Sequence, residues 1–192
     1  MSEHIVKQTN NNAKGWMWFL IILFFVITVG LFGIYYIVKR NWFKKMQEQI
    51  NISASNISAQ LIRRRDTLIK LVDATKTHMK YEKETLQEAM QLKNMEANID
   101  SKNFTEVNNQ LTKFENKLFA SFESYPQLRA SMSIGQLMNA ADLSEKEITA
   151  SRAIYNQDVS SFNKALLHFP AKFIAIRNKL HAYALFEEKN SH

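Results

Sequence analysis

Residues 16–38 read WMWFLIILFFVITVGLFGIYYIV, 23 consecutive positions without a charge. At a rise of about 1.5 Å per residue, a helix of this length reaches roughly 34 Å, enough to cross a hydrocarbon core of about 30 Å. A soluble amphipathic helix is apolar on one stripe, whereas this stretch is apolar all round. Trp16 and Trp18 stand at one end, Tyr35, Tyr36 and Trp42 near the other, and Gly30 and Gly33 lie between. Amphipathic rings at both ends suit the two headgroup layers. Lys39 and Arg40 close the run. The stretch predicts a single N-terminal transmembrane helix, and the rest of the chain is read from it.

On its N-terminal side, residues 1–15 (MSEHIVKQTNNNAKG) are polar and without apolar periodicity, so a disordered tail is expected there. A cleaved signal peptide would have an apolar region of about 7–15 residues ending in small residues. This one is longer and ends in Lys39-Arg40, which favours a retained anchor. Lys7 and Lys14 precede the span, while Lys39, Arg40, Lys44 and Lys45 follow it. The positive-inside rule then places the tail outside a cell membrane and the C-terminal domain in the cytoplasm.

Beyond the span the chain is long enough for one domain. Among 192 residues there are only 4 Gly and 2 Pro, and none of either between Gly33 and Pro126. Long helices exclude these residues, whereas tight turns recruit them. The absence of cysteine removes disulfides, thiolate metal sites and thiol nucleophiles. The net charge of +7 is spread among both signs, and Arg63-Arg64-Arg65 is the one basic run after the juxtamembrane segment. Basic residues clustered with aromatic platforms would suggest nucleic acid. Mixed charge beside a span suits an anionic lipid surface better, so no nucleic-acid partner is expected.

From Trp42 to about Asn98 the spacing predicts one long helix, with Ile50, Ile57, Leu61, Arg64, Leu68, Val72, Thr75, Met79, Glu82, Leu86 and Met90 on its stripe. Counting one polar or small step across Ser53 and Ala54, eleven steps over 40 residues average about 3.6, a straight α-helix. Its first part, 39–56, reads as a juxtamembrane helix and 57–188 as a bundle. Asp100 or Ser101 is available to cap a second helix carrying Phe104, Val107, Leu111, Phe114, Leu118 and Phe122, which Tyr125-Pro126 ends. Glu145, Ile148, Arg152, Tyr155, Val159, Phe162, Leu166 and Phe169 alternate by 3 and 4, a coiled-coil-like seam with Asn156 and Asn163 beside it. After Pro170, the residues Phe173, Ile176, Leu180 and Tyr183 supply a fourth stripe. The expected fold is all-α: one N-terminal transmembrane helix followed by a long antiparallel four-helix bundle.

No catalytic constellation emerges. The histidines, His4, His78, His168, His181 and His192, form neither a Glu-x-x-His nor a His-x-x-x-His spacing, so no metal is expected. His78 and Glu82 read as a surface pair. Four scattered glycines make no phosphate-binding loop, and no cofactor is expected. Asn51-Ile-Ser, Asn56-Ile-Ser and Asn103-Phe-Thr match the glycosylation triplet, which has no consequence on a cytoplasmic face. What remains is a polar set on or beside the stripes: Arg64, Glu82, Glu145, Arg152, Tyr155, Asn156 and Asn163. Two readings stay open for it. One is a buried network that sets helix register; the other is a polar groove for a peptide or small ligand.

Two motifs in this order resemble the LemA family of bacterial membrane-anchored helical proteins. The first runs from Ile57 and Gln60-Leu61 through Arg63-Arg64-Arg65-Asp66, Leu71-Val72-Asp73 and Lys76 to Glu82, Glu84 and Thr85. The second runs from Tyr125-Pro126 through Leu128, Leu137, Glu145, Arg152, Tyr155-Asn156, Val159, Asn163 and Phe169-Pro170 to Ala175. Ile69 stands where the family usually has proline, and Ala54 where it usually has tryptophan. The resemblance implies a helical bundle on one N-terminal span and implies no reaction. The expected role is a non-enzymatic membrane-tethered scaffold or adaptor, with a transmembrane sensor as the alternative. The expected partners are the lipid bilayer and either another protein or a second copy of the chain.

Overall fold

The computed structural model describes residues 2–79, 81, 83–94 and 99–187, with side chains from Gly15 onward. All regular structure among them is helical. The elements are α1 (Ser2–Thr75), α2 (Lys83–Asn94), α3 (Phe104–Glu123), α4 (Pro126–Arg129), α5 (Met132–Leu167) and α6 (Ala171–Arg177).

Helix α1 carries two environments on one backbone. Over residues 16–38 nearly every side chain is exposed, and from Phe43 onward one face is buried. It is the one helix, among the described residues, long and apolar enough to cross a membrane. Residues 2–15, expected to be disordered, continue this helix, since adding turns to an existing helix avoids the cost of nucleation.

The predicted stripe packs as read through Ile50, Ile57, Leu61, Arg64, Leu68, Val72, Thr75 and Met79. The expected single helix to Asn98 does not form, however. The Thr75 hydroxyl donates to the Leu71 carbonyl (2.7 Å) and pairs with the Tyr81 phenol, and the amides of His78 and Met79 both turn onto the Thr75 carbonyl. The reason for the reversal lies in the partners. Helix α5 runs antiparallel to α1, as Ser53–Asp158, Arg63–Glu147 and Arg64–Glu145 show, and that register puts Met132 level with the end of α1. A straight continuation would leave the bundle and bury nothing.

Instead α2 folds back and buries Thr85, Ala89 and Leu92, leaving Leu86 and Met90 exposed. Glu82 lies outside the described residues. Helix α3 then returns parallel to α1: Ser58 bonds the Ile99 carbonyl, and Arg64 reaches Asn108 and Glu115. All six of its predicted stripe residues are buried. Its N-cap is Asn103 rather than Asp100 or Ser101, because Asp100 and Asn103 bond each other's neighbourhood in the preceding turn. Helices α1, α2, α3 and α5 thus run up, down, up and down, a four-helix bundle whose second member is the back-folded α2.

The predicted fourth stripe is not a helix of the bundle. Helix α6 has seven residues and buries Ala171, Ile174 and Ala175, so Phe173 and Ile176 face outward. The Phe169–Pro170 bond is cis. Lys179 takes a positive φ of 52°, after which the chain runs without helix or strand to residue 187.

Candidate functional site

The predicted polar set separates into two clusters. The first surrounds Arg64, in the C-terminal part of α1, whose side chain is 2% exposed. Its Nε and Nη2 donate to Glu115 Oε2 at 3.0 and 2.5 Å, and Nη1 donates to Asn108 Oδ1 at 3.0 Å. Glu145, from α5, makes an ion pair with the same guanidinium. Three helices therefore meet on one cation. Burial pushes the Glu115 carboxyl above its ordinary range, and the Arg64 charge opposes that shift. The arginine run is consequently not one patch: Arg63 pairs with Glu147 at the surface and Arg65 with Asp66, while Arg64 points inward.

The second cluster lines α5 where the C-terminal segment passes. Asn163 donates to the Tyr183 carbonyl (2.9 Å) and accepts from the Tyr183 amide (3.0 Å). Asn156 does the same for Phe186, at 2.9 and 2.8 Å. The Tyr155 hydroxyl donates to the Ala184 carbonyl between them, at 3.0 Å. Seven helical residues span about 10.5 Å. Three residues reach that far only when nearly fully extended, so the two asparagines hold an extended segment by its backbone alone. Phe186 is buried against Phe104, with ring centroids 5.6 Å apart, and the Tyr183 ring lies 5.3 Å from that of Phe162. Burial raises the Tyr155 phenol, against the bond it shares with Ser101.

Arg152 does not join the Arg64 cluster. It is half-buried, with its guanidinium 5.7 Å from the Phe186 ring centroid. Of the predicted set, Arg64 and Glu145 are brought together, and Glu115 and Asn108 are the partners that sequence reasoning missed. These two lie seven residues apart, each next to a stripe residue of α3 (Val107 and Phe114), a polar repeat that could have been noticed. At the other end, Trp16 and Trp18 are exposed, Tyr35 and Tyr36 pack partly on the core, and Lys39 lies 5.3 Å from the Trp42 ring. Arg40, Lys44 and Lys45 are exposed.

These features define a class: an all-helical bundle built on one long helix whose N-terminal part is long and apolar enough to cross a membrane. The chain belongs to the LemA family, whose profile matches residues 53–192. It is also similar to Protein LemA of Metamycoplasma hominis, 32% identical over 193 residues, which cover 97% of this chain and 88% of that relative.

Proposed function

We propose that the protein is a non-enzymatic scaffold or adaptor, tethered to the cell membrane by residues 16–38, with residues 1–15 outside and the bundle in the cytoplasm. The observation that carries this reading is the backbone clamp of Tyr155, Asn156 and Asn163 on an extended segment. Backbone pairing gives affinity for extended chain, while neighbouring side-chain pockets select its sequence. A protein partner's extended segment would use the same bonds by displacing residues 183–186, which occupy this face. A second reading, a transmembrane sensor, is favoured by the continuity of α1 from the apolar stretch to Arg64, since Arg64 reaches both α3 and α5.

In-cell crosslinking of the membrane-embedded chain, followed by mass spectrometry, separates them. Reproducible links between one other protein and α5 support the scaffold. Self-links that change with a membrane stimulus, without a second protein, would replace it by the sensor.

A further inference from the structure

The end of α5, the turn after it and α6 expose four large apolar side chains: Leu167 (75%), Phe169 (80%), Phe173 (66%) and Ile176 (64%). The rings of Phe169 and Phe173 meet edge to face, 5.9 Å apart. Contiguous exposed apolar surface of this kind marks a contact made elsewhere. Its position along α1 says which. Phe162 of α5 packs on Phe43 of α1, with ring centroids 5.6 Å apart. The two helices are antiparallel, so Leu167, five residues further along α5, is level with about residues 38–44, the end of the apolar stretch and the basic residues after it. Helix α6 packs back against α1, and Asn178 and Leu180 line a cavity with Arg40, Phe43, Lys44 and Gln47. The apolar cluster therefore sits at the depth where the uncharged stretch gives way to Lys39 and Arg40.

Charge points the same way. Residues 159–186 contain no acidic side chain but carry Lys164, Lys172, Arg177 and Lys179; residues 36–47 contain none but carry Lys39, Arg40, Lys44 and Lys45. Basic residues at this depth lie within a Debye length of an anionic leaflet, and aromatic side chains favour the same layer.

We propose that this end of the bundle is a second membrane contact. Leu167, Phe169, Phe173 and Ile176 enter the headgroup–acyl boundary of the leaflet that α1 crosses, and the surrounding lysines and arginines bind its anionic headgroups. The proposal rests on the reading of residues 16–38 as a span. It fixes the bundle against the bilayer instead of letting it stand off on a free stalk.

The chain has no cysteine, so single probe sites can be introduced cleanly. Full-length Phe173→Cys, Ile27→Cys and Leu143→Cys are each labelled with an environment-sensitive fluorophore. They are reconstituted in phosphatidylcholine vesicles with and without phosphatidylglycerol, carrying a shallow nitroxide on the acyl chain. Leu143 is exposed and lies 24 residues before Leu167 on the same helix, roughly 36 Å from the proposed contact. The expected result is quenching at position 173 at least twofold above that at 143, increasing with phosphatidylglycerol and reduced by Lys172→Glu with Arg177→Glu. Quenching at 27 but no more at 173 than at 143 overturns the proposal and leaves the span reading intact. So does a probe at 173 that lipid does not quench while a second copy shields it from aqueous quencher. No quenching at 27 overturns the span reading, and the proposal with it.

Discussion

Replacing Arg64 with methionine keeps most of the side-chain volume and deletes the charge at the centre of the bundle. Two hydrogen bonds to Glu115 and one to Asn108 disappear, and the Glu115 side chain, 7% exposed, is left without its counter-charge. Breaking a buried pair from one side costs about 3–5 kcal/mol, because the orphaned ion bears its full desolvation penalty. Glu145 adds little to this, since its side chain is 36% exposed and can turn to water. For a bundle of this size the loss corresponds to a fall of roughly 6–20 °C in Tm.

The second variant decides the cause. Arg64→Met with Glu115→Leu removes both charges, and apolar replacement of a whole buried pair is often neutral or stabilising. Asn108 then lacks a partner, a cost of about 1–3 kcal/mol, while Glu145, which also loses the guanidinium, has a side chain 36% exposed and turns to water. Thermal melts of the full-length chain in detergent, followed by far-ultraviolet circular dichroism, should show the single variant falling and the double variant recovering at least half the loss. An unchanged melt for Arg64→Met would mean that Glu115 is hydrated and the cluster is not dry. A double variant no better than the single would mean that the loss came from packing, and the electrostatic account of register would fail.

Three further outcomes are expected. Asn156→Ala with Asn163→Ala should cut amide-exchange protection at Tyr183 and Phe186 by tenfold or more while the α3 amides stay protected; equal protection would show that Phe186 packing alone holds the segment. Because burial raises the Glu115 pKa above 4.5, its contribution is fully present below 4.5 and is lost as pH rises through the folded-state value. The stability advantage of the natural chain over Glu115→Gln should therefore shrink as pH rises from 4.5 to 7, and an advantage that grows would contradict the assigned shift. Leu86→Lys should change stability by less than about 0.5 kcal/mol, whereas Leu92→Lys should cost about 2–4 kcal/mol, with urea titration reading the difference; the reverse order would mean that α2 packs by the other face.

What the sequence made legible was whatever depends on local period. The uncharged run 16–38, the stripe of α3 and the Ile148–Tyr155–Val159–Phe162 seam of α5 all follow from spacing within one helix. The end of α1 was not legible, because period carries on past Thr75 whether or not a neighbouring helix is there to receive it. Leu86 and Met90 continue the arithmetic of the stripe and are exposed. The partner of Asn156 and Asn163 was hidden for another reason: it is backbone, which leaves no sequence mark. Phe173, Ile176, Leu180 and Tyr183 share one helical spacing, yet a short helix turns the first two outward and an extended segment carries Tyr183 inward.

Register links the two ends of the molecule. A one-turn slip of α1 past α5 moves it about 5.4 Å, which would separate Arg64 from Glu145 and Ser53 from Asp158, bonded at 2.8 Å, and lift Phe43 off Phe162. Each of those contacts favours the same alignment, so α1 and α5 move as one body. The height of α6 relative to residues 16–38 is therefore set inside the bundle, at Arg64, 26 residues of α1 beyond Val38. Loosening the buried cation should then change what the exposed Phe169–Ile176 turn touches, although no residue of that turn is altered. The Arg64→Met variant carrying the position-173 probe tests this coupling. A shift in its lipid quenching, at a temperature where the bundle is still folded, would show that register governs the contact; an unchanged signal would show that α6 is placed by its own packing on α1.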